Sequence, residues 1–213
     1  MGTPLSTIAV ILSDWRDIAL PKNREVRNVE IDRMLSQIER CKKILSDILL
    51  SSGQLRGEDT IAQDISIFVG QLTNNWRNSQ GKDVILNTDI QLPAITCACD
   101  RVIEQAIFNV LDNAKDASFA NDSKEINFKA FIKDDEIIIM IEDFGNGFDV
   151  ETLHRLGQPY ISTKEQTGHG LGLFLVTNIL RTLGGKFEAH NKNDGNGAII
   201  SLCLPVNSIA VRH

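Results

Sequence analysis

The sequence predicts an α+β protein: an antiparallel helical hairpin that pairs with a second copy as a four-helix bundle, followed by an α/β sandwich of one sheet and one helical layer. Three observations carry this. Two N-terminal segments step their apolar residues by three and four alternately, and that pattern stops at Ser51-Ser52-Gly53. Beyond it, helical stripes are mixed with short strand-like runs.

The first seam is Leu5, Ile8, Leu12, Trp15 and Ala19; the second is Ile31, Met34, Ile38, Cys41, Leu45 and Ile48. Spacing of this kind is the a/d seam of helices packed as coiled coils or bundles. The polar stretch LPKNREVRN between them, with Pro21, reads as the turn of a hairpin. A two-sided seam asks for a second hairpin, so a homodimer is expected, with packing inside the chain as the alternative. GQLRGED then has the glycines and mixed charges of a linker, which divides the chain into residues 1–55 and 56–213.

Thr60 through Asn78 reads as an amphipathic helix with Ile61, Ile65, Phe68 and Leu72 on one face. VILNTDI and AITCACD read as short strands separated by Pro93. From Arg101 to Ala117 the helical period returns, with Ile103, Ile107, Val110, Ala114 and Ala117 as its apolar stripe. EINFKAFI and EIIIMIED follow as two strands joined by the turn-like Lys133-Asp134-Asp135. A long glycine-bearing segment runs from Gly145 to Gly168, then a helix from Leu171 to about Leu183, then strands at KFEAH and AIISLCL.

The 213 residues, 42% hydrophobic and 23% charged, have the balance of a globular chain. With 28 acidic against 22 basic residues and a formal charge of −6, and no basic run, nucleic acid is a poor expectation as a partner. No stretch approaches the roughly 18 consecutive apolar residues of a membrane span, so any membrane attachment is expected only through segments upstream of this sequence. Cys41, Cys97, Cys99 and Cys203 lack the paired spacing of zinc ligands, and a reducing cytoplasmic compartment fits them.

Three stretches carry chemistry. On the helix from Arg101, the residues Gln105, Asn109, Asp112, Asn113 and Asp116 form a polar stripe. Asparagine is a poor helix-interior residue, so Asn109 and Asn113 four apart ask for a reason: amide oxygens can hold Mg²⁺, which takes its other ligands from phosphate and water. A solvated polar face is the plain alternative. Asp143-Phe144-Gly145-Asn146-Gly147 sets a carboxylate at the mouth of an apolar strand, followed by Gly145 and Gly147, a combination suited to an exocyclic amine and equally to a simple turn. Gly168, Gly170 and Gly172 bracket the start of a helix, where bare backbone N–H groups and the helix dipole favour an anion. Lys164 lies just upstream in YISTK, in a segment long enough for a lid.

Metal, adenine and phosphate functions in this order make a Mg·ATP site. NVLDNAKDA, DFGNG, PYISTK and GHGLGL resemble the N, G1, F and G2 boxes of sensor histidine kinases, within the wider Bergerat-fold ATPases. The resemblance implies that Asn109 and Asn113 serve magnesium and phosphates, and that Asp143 accepts from the adenine amino group. It implies that Gly145 and Gly147 shape the adenine pocket, that Gly168, Gly170 and Gly172 line the triphosphate under a mobile lid, and that Tyr160, Lys164 and Leu171 belong to the nucleotide-binding set. Asp116 stands where many of these kinases carry lysine, which leaves a phosphate role for Lys115 open.

MGTPLSTI resembles the sequence after the phosphoacceptor of the family's H box, H-E-x-G-T-P-L, which sets the acceptor two residues before Met1. Its absence implies that this chain does not phosphorylate itself. Thr3 then falls at the position associated with phosphatase activity, or caps a helix ahead of Pro4. GTPLSTIAVIL with QIERCKKIL resembles the redox-responsive RegB/PrrB branch, which makes Cys41 a redox candidate; a small buried hydrophobe on the seam is the other account. The resemblance further implies ATP and Mg²⁺ as cofactors, a response-regulator receiver domain as partner, and a bacterial inner-membrane location for the whole protein. A non-kinase Bergerat ATPase and a degenerate nucleotide-binding dimerisation module are the competing readings.

Overall fold

A computed structural model describes residues 61–80, 83–99, 101–158, 172–193 and 195–210 of the chain. All fall within one compact unit, Leu50–His213. The expected hairpin, its dimer, Thr3, Cys41 and the boundary after residue 55 lie outside the described residues.

The first strand, β1 (Ile61–Asp64), corrects a sequence expectation, because these residues were to begin a helix. They instead pair antiparallel with β3 (Thr96–Cys99) as a small two-stranded sheet. Asp64 ends the strand and starts helix α1 (Ile65–Gln80): its Oδ1 accepts from the backbone N–H of Ser66 at 2.8 Å and of Ile67 at 3.2 Å. A capping carboxylate at that point satisfies N–H groups that a helix begun at Thr60 would have bonded internally. Ile65, Phe68, Val69, Leu72 and Trp76 form the buried face of α1.

After β2 (Ile85–Gln91) and β3, helix α2 (Arg101–Phe119) buries Ile103, Ile107, Val110 and Ala114, as its period requires. Strands β4 (Glu125–Lys133) and β5 (Glu136–Glu142) form a hairpin closed by Asp134 and Asp135, both at positive φ (+52° and +60°). A two-residue turn with both residues left-handed matches the twist of the flanking strands. Short helix α3 (Val150–Arg155), unforeseen in the sequence, precedes α4 (Gly172–Thr182), β6 (Lys186–Asn191), β7 (Ala198–Pro205) and α5 (Val206–Ile209). Asp149 starts α3, its Oδ1 accepting from Thr152 N at 2.7 Å.

The main sheet has the order β2-β4-β5-β7-β6, with β2 and β4 parallel and the remaining pairs antiparallel. Register aligns Phe128 with Ile141 and Ile141 with Ile200, and likewise Ala130, Ile139 and Leu202, so one face of the sheet is an unbroken apolar surface. The helices α2 and α4 pack against each other and supply the opposite wall of the same core. Burial of Ile126, Phe128, Ile137, Ile139, Val176 and Leu202 to 1% exposure or less provides the main driving force. This is the α+β sandwich expected of residues 56–213. Among the described residues no helix is long and apolar enough to cross a membrane.

Candidate functional site

The polar residues of α2 do not share one environment. Asn109 is 7% exposed; its Oδ1 accepts from Gln105 Nε2 at 3.1 Å, and its Nδ2 is buried with no partner. A buried amide left unpaired costs about 1–3 kcal/mol, so such a group points to a ligand that completes it. One turn on, Asn113 faces the start of α4: a Cβ placed on Gly172 would lie 3.6 Å from Asn113 Nδ2. The first described turn of α4, which holds no acidic residue, therefore lies beside Asn113.

Asp112 and Lys115 point elsewhere. Trp76 Nε1 of α1 donates to Asp112 Oδ1 at 2.9 Å, and Lys115 Nζ donates to Gln80 Oε1 at 2.8 Å. The carboxylate that the sequence set beside the two asparagines instead ties α2 to α1.

Asp143 stands immediately beyond β5 and is 5% exposed. Its Oδ1 accepts from Gly145 N at 2.9 Å and Ala198 N at 3.1 Å, while Oδ2 has no partner among the described residues. Desolvation pushes its carboxyl above the ordinary carboxylate range; the two backbone bonds and the charge of Lys192 pull it down, and Glu142 adds to the rise. An oxygen held in place by a doubly bonded twin is suited to accept one hydrogen bond from a ligand amine.

The following loop is fastened on both sides. Ser118 Oγ, at the end of α2, accepts from Phe144 N at 3.0 Å and donates to Glu125 O at 3.0 Å, and Asn121 Nδ2 donates to Phe144 O at 2.9 Å. Gly145 presses on α2, where a Cβ would meet Ala117 O at 2.8 Å. From the other side, Asn191 bonds both backbone groups of Phe148, at 2.8 and 2.7 Å. Gly147, at φ +72°, leaves no room for a side chain against Asn191 Oδ1. Gly197, at φ +109°, abuts the carbonyl oxygen of Asp143.

The structure thus brings Asn113 and Gly172 together at the α2–α4 junction, with Asn109 one turn back on α2, and sets Asp143, Gly145 and Gly147 at the β5 end of the sheet. Tyr160, Lys164, Gly168, Gly170 and Leu171 lie outside the described residues. Sequence reading missed Ser118, Asn191, Lys192 and Gly197. Of these only Gly197 left a signal, in the run Asp194-Gly195-Asn196-Gly197 before a strand.

The site fits magnesium and ATP on its own geometry: a buried amide nitrogen without a partner, a second asparagine beside the first described turn of α4, and a buried carboxylate with one oxygen unpartnered among the described residues. Among the described residues no three His, Cys, Asp or Glu side chains converge on one point, so a cation here would draw on Asn109, Asn113 and phosphate oxygens.

Known proteins give the family and the fold of this unit. The chain is 29% identical over 208 residues to nitrogen regulation protein NtrY of Azorhizobium caulinodans, covering 95% of this chain and 26% of that protein. It is 33% identical over 185 residues to the two-component sensor PprA of Pseudomonas aeruginosa, covering 83% of this chain and 20% of that one. The chain therefore spans about a quarter or less of these relatives' length. Two solved structures share its fold: Acinetobacter baumannii histidine kinase AdeS, with TM-score 0.62, 22% identity and 95% of both chains covered; and full-length ShkA in complex with AMPPNP, with TM-score 0.70, 18% identity, 99% of this chain and 44% of that one. Residues 100–208, which include α2, the Asp143 loop and α4, match the model of the histidine kinase-, DNA gyrase B- and HSP90-like ATPases, and the chain belongs to that Bergerat-type family.

Proposed function

We propose that this chain is the dimerisation and catalytic core of a two-component sensor histidine kinase, with a hairpin over residues 1–55 and an ATP-binding domain over 56–213. The observation that carries it is the buried, unpartnered Nδ2 of Asn109, one helical turn from the Asn113 that lies beside the start of α4. Asn109 and Asn113 hold the magnesium and phosphate end, and Asp143 Oδ2 accepts from the adenine amino group. Magnesium bound there would neutralise charge on the phosphate oxygens. The residues themselves orient the triphosphate and keep water from the adenine edge; catalysis of phosphoryl transfer is mostly such positioning.

In the whole protein the γ-phosphoryl goes to a histidine upstream of GTPL and then to an aspartate of a response regulator. The similarity to the nitrogen regulation protein NtrY and the two-component sensor PprA supports this reading. Thr3 assists phosphatase action and Cys41 carries redox control in the same scheme, with the whole protein anchored in the inner membrane upstream of Met1.

Calorimetric titration with Mg·ATP tests the assignment. Wild type binds, and Asp143→Ala binds about ten- to hundredfold more weakly, the loss of about 1.5–3 kcal/mol for a hydrogen bond to a charged group. Equal and negligible affinity in both proteins overturns it in favour of a degenerate module. Non-reducing electrophoresis after oxidation tests Cys41: a dimer band lost in Cys41→Ser supports redox control, and identical monomer bands end it.

A further inference from the structure

Asp143 is flanked in the chain by Glu142 and Phe144, and one side chain holds both. Lys192 Nζ lies 2.8 Å from Glu142 Oε1 and 4.0 Å from the centroid of the Phe144 ring, with 11% of the lysine side chain exposed. Glu142 is held from its other oxygen as well: Oε2 accepts from Asn127 Nδ2 at 3.1 Å, and Asn127 Oδ1 accepts from Asn87 Nδ2 at 3.1 Å. A line of side-chain bonds thus crosses β2, β4 and β5 and ends on the ammonium of Lys192.

The lysine is itself fixed by the turn that touches Asp143. Lys192 N donates to Gly197 O at 3.0 Å, and Gly195 N donates to Lys192 O at 3.1 Å. Gly197 abuts the Asp143 carbonyl, and the next residue, Ala198, gives Asp143 Oδ1 one of its two donors. Burying an ion pair gains little net stability, because desolvation offsets the attraction; what it fixes is geometry. Here the pair fixes the residues on either side of the carboxylate. A bond serving the sheet alone would have ended at Glu142, whereas this ammonium also takes the ring of the loop residue.

We propose that Lys192 is a positioning residue of the adenine pocket: by clamping Glu142 and Phe144 it aims Asp143 Oδ2, and so sets how strictly the site demands an exocyclic amine on the purine. The proposal rests on the reading of Asp143 as the adenine acceptor. Without the ammonium, the Glu142 carboxylate one residue from Asp143 keeps Asn127 and the charge of Lys129 but loses its ion-pair partner, and the Phe144 ring loses its cation. The aimed oxygen then either moves or takes a proton, and in both cases it stops accepting from an amine. Binding of the rest of the nucleotide, at Asn109, Asn113 and α4, is untouched.

The test compares Mg·ATP with magnesium purine riboside triphosphate, which carries hydrogen in place of the amino group, by calorimetry on the full chain. Wild type prefers ATP by about ten- to hundredfold, the factor of one charge-assisted hydrogen bond. In Lys192→Met the preference falls below about threefold while affinity for the analogue stays within about twofold of wild type, and Lys192→Arg restores the preference. Retained affinity for the analogue shows that the variant is folded. A Lys192→Met protein that keeps the preference, or that loses both nucleotides equally, overturns the proposal. Asp143→Ala run in parallel separates the two levels. If it abolishes the preference and Lys192→Met does not, only the lysine's role falls; if it keeps the preference, the reading of Asp143 falls and takes the lysine's role with it.

Discussion

Gln105 Nε2 donates to Asn109 Oδ1 at 3.1 Å and leaves Asn109 Nδ2 buried and unpaired one helical turn from Asn113. The oxygen that a cation would take is engaged by a neutral neighbour, and the nitrogen beside it is left unsatisfied. Such a residue lowers the stability of the protein unless a ligand completes it.

Asn109→Leu, close to asparagine in shape, removes the orphaned amide and is expected to leave the thermal midpoint without nucleotide unchanged or raised. It should weaken Mg·ATP at least about tenfold. Melting curves with and without nucleotide check both halves; a large fall in the midpoint without nucleotide contradicts the assignment of strain to Asn109.

Asp143→Asn keeps acceptors for Gly145 and Ala198 and removes a desolvated charge. Because burial raises the folded carboxyl above its ordinary value of 3.8, this group's contribution to stability is fully present below that value and lost as pH rises through the folded pKa. The variant is therefore expected to be more stable than wild type at pH 7, with the difference vanishing in acid below 3.8. Urea denaturation across pH measures it. ATP binding runs the other way: wild type needs the ionised carboxylate, so its affinity falls on the acid side at a pH above the usual carboxylate range.

Asp112→Ala leaves the Trp76 indole N–H buried without an acceptor, at a cost of about 1–3 kcal/mol. Chemical denaturation should show that loss, while Mg·ATP affinity of the folded protein stays within about twofold of wild type. A loss of magnesium dependence instead would return Asp112 to the metal site.

Gly197→Ala puts a side chain at φ +109° against the carbonyl and carboxylate of Asp143. Strain of this kind costs about 1–3 kcal/mol, and relief by a shift of the Asp143 loop costs nucleotide affinity as well. A variant with wild-type melting and wild-type ATP affinity contradicts the packing described here.

The motif order along the chain was enough to propose metal, adenine and phosphate functions for α2, the loop after β5 and the start of α4. Apolar period placed α2, α4 and the β4–β5 hairpin within a few residues, because their buried faces repeat at the helical or strand interval. It failed at Ile61–Asp64, where four residues fit a helical stripe but pair with β3, and at α3, whose six residues are too few to show a period and bury none of their side chains. Strand pairing is a property of two segments, and nothing within one of them announces it.

The polar stripe of α2 draws the same line more sharply. The sequence by itself determined that Gln105, Asn109, Asp112, Asn113 and Asp116 share one side of a helix, since that follows from 3.6 residues per turn. Which neighbour covers each part of that side was decided by tertiary structure alone. Trp76 and Gln80 of α1 take Asp112 and Lys115, Gly172 of α4 comes beside Asn113, and Asn109 is buried with one nitrogen unanswered. The angle of a side chain about its own helix is local, whereas the burial and partners that separate a paired carboxylate from an unpartnered amide come from elements distant in the chain.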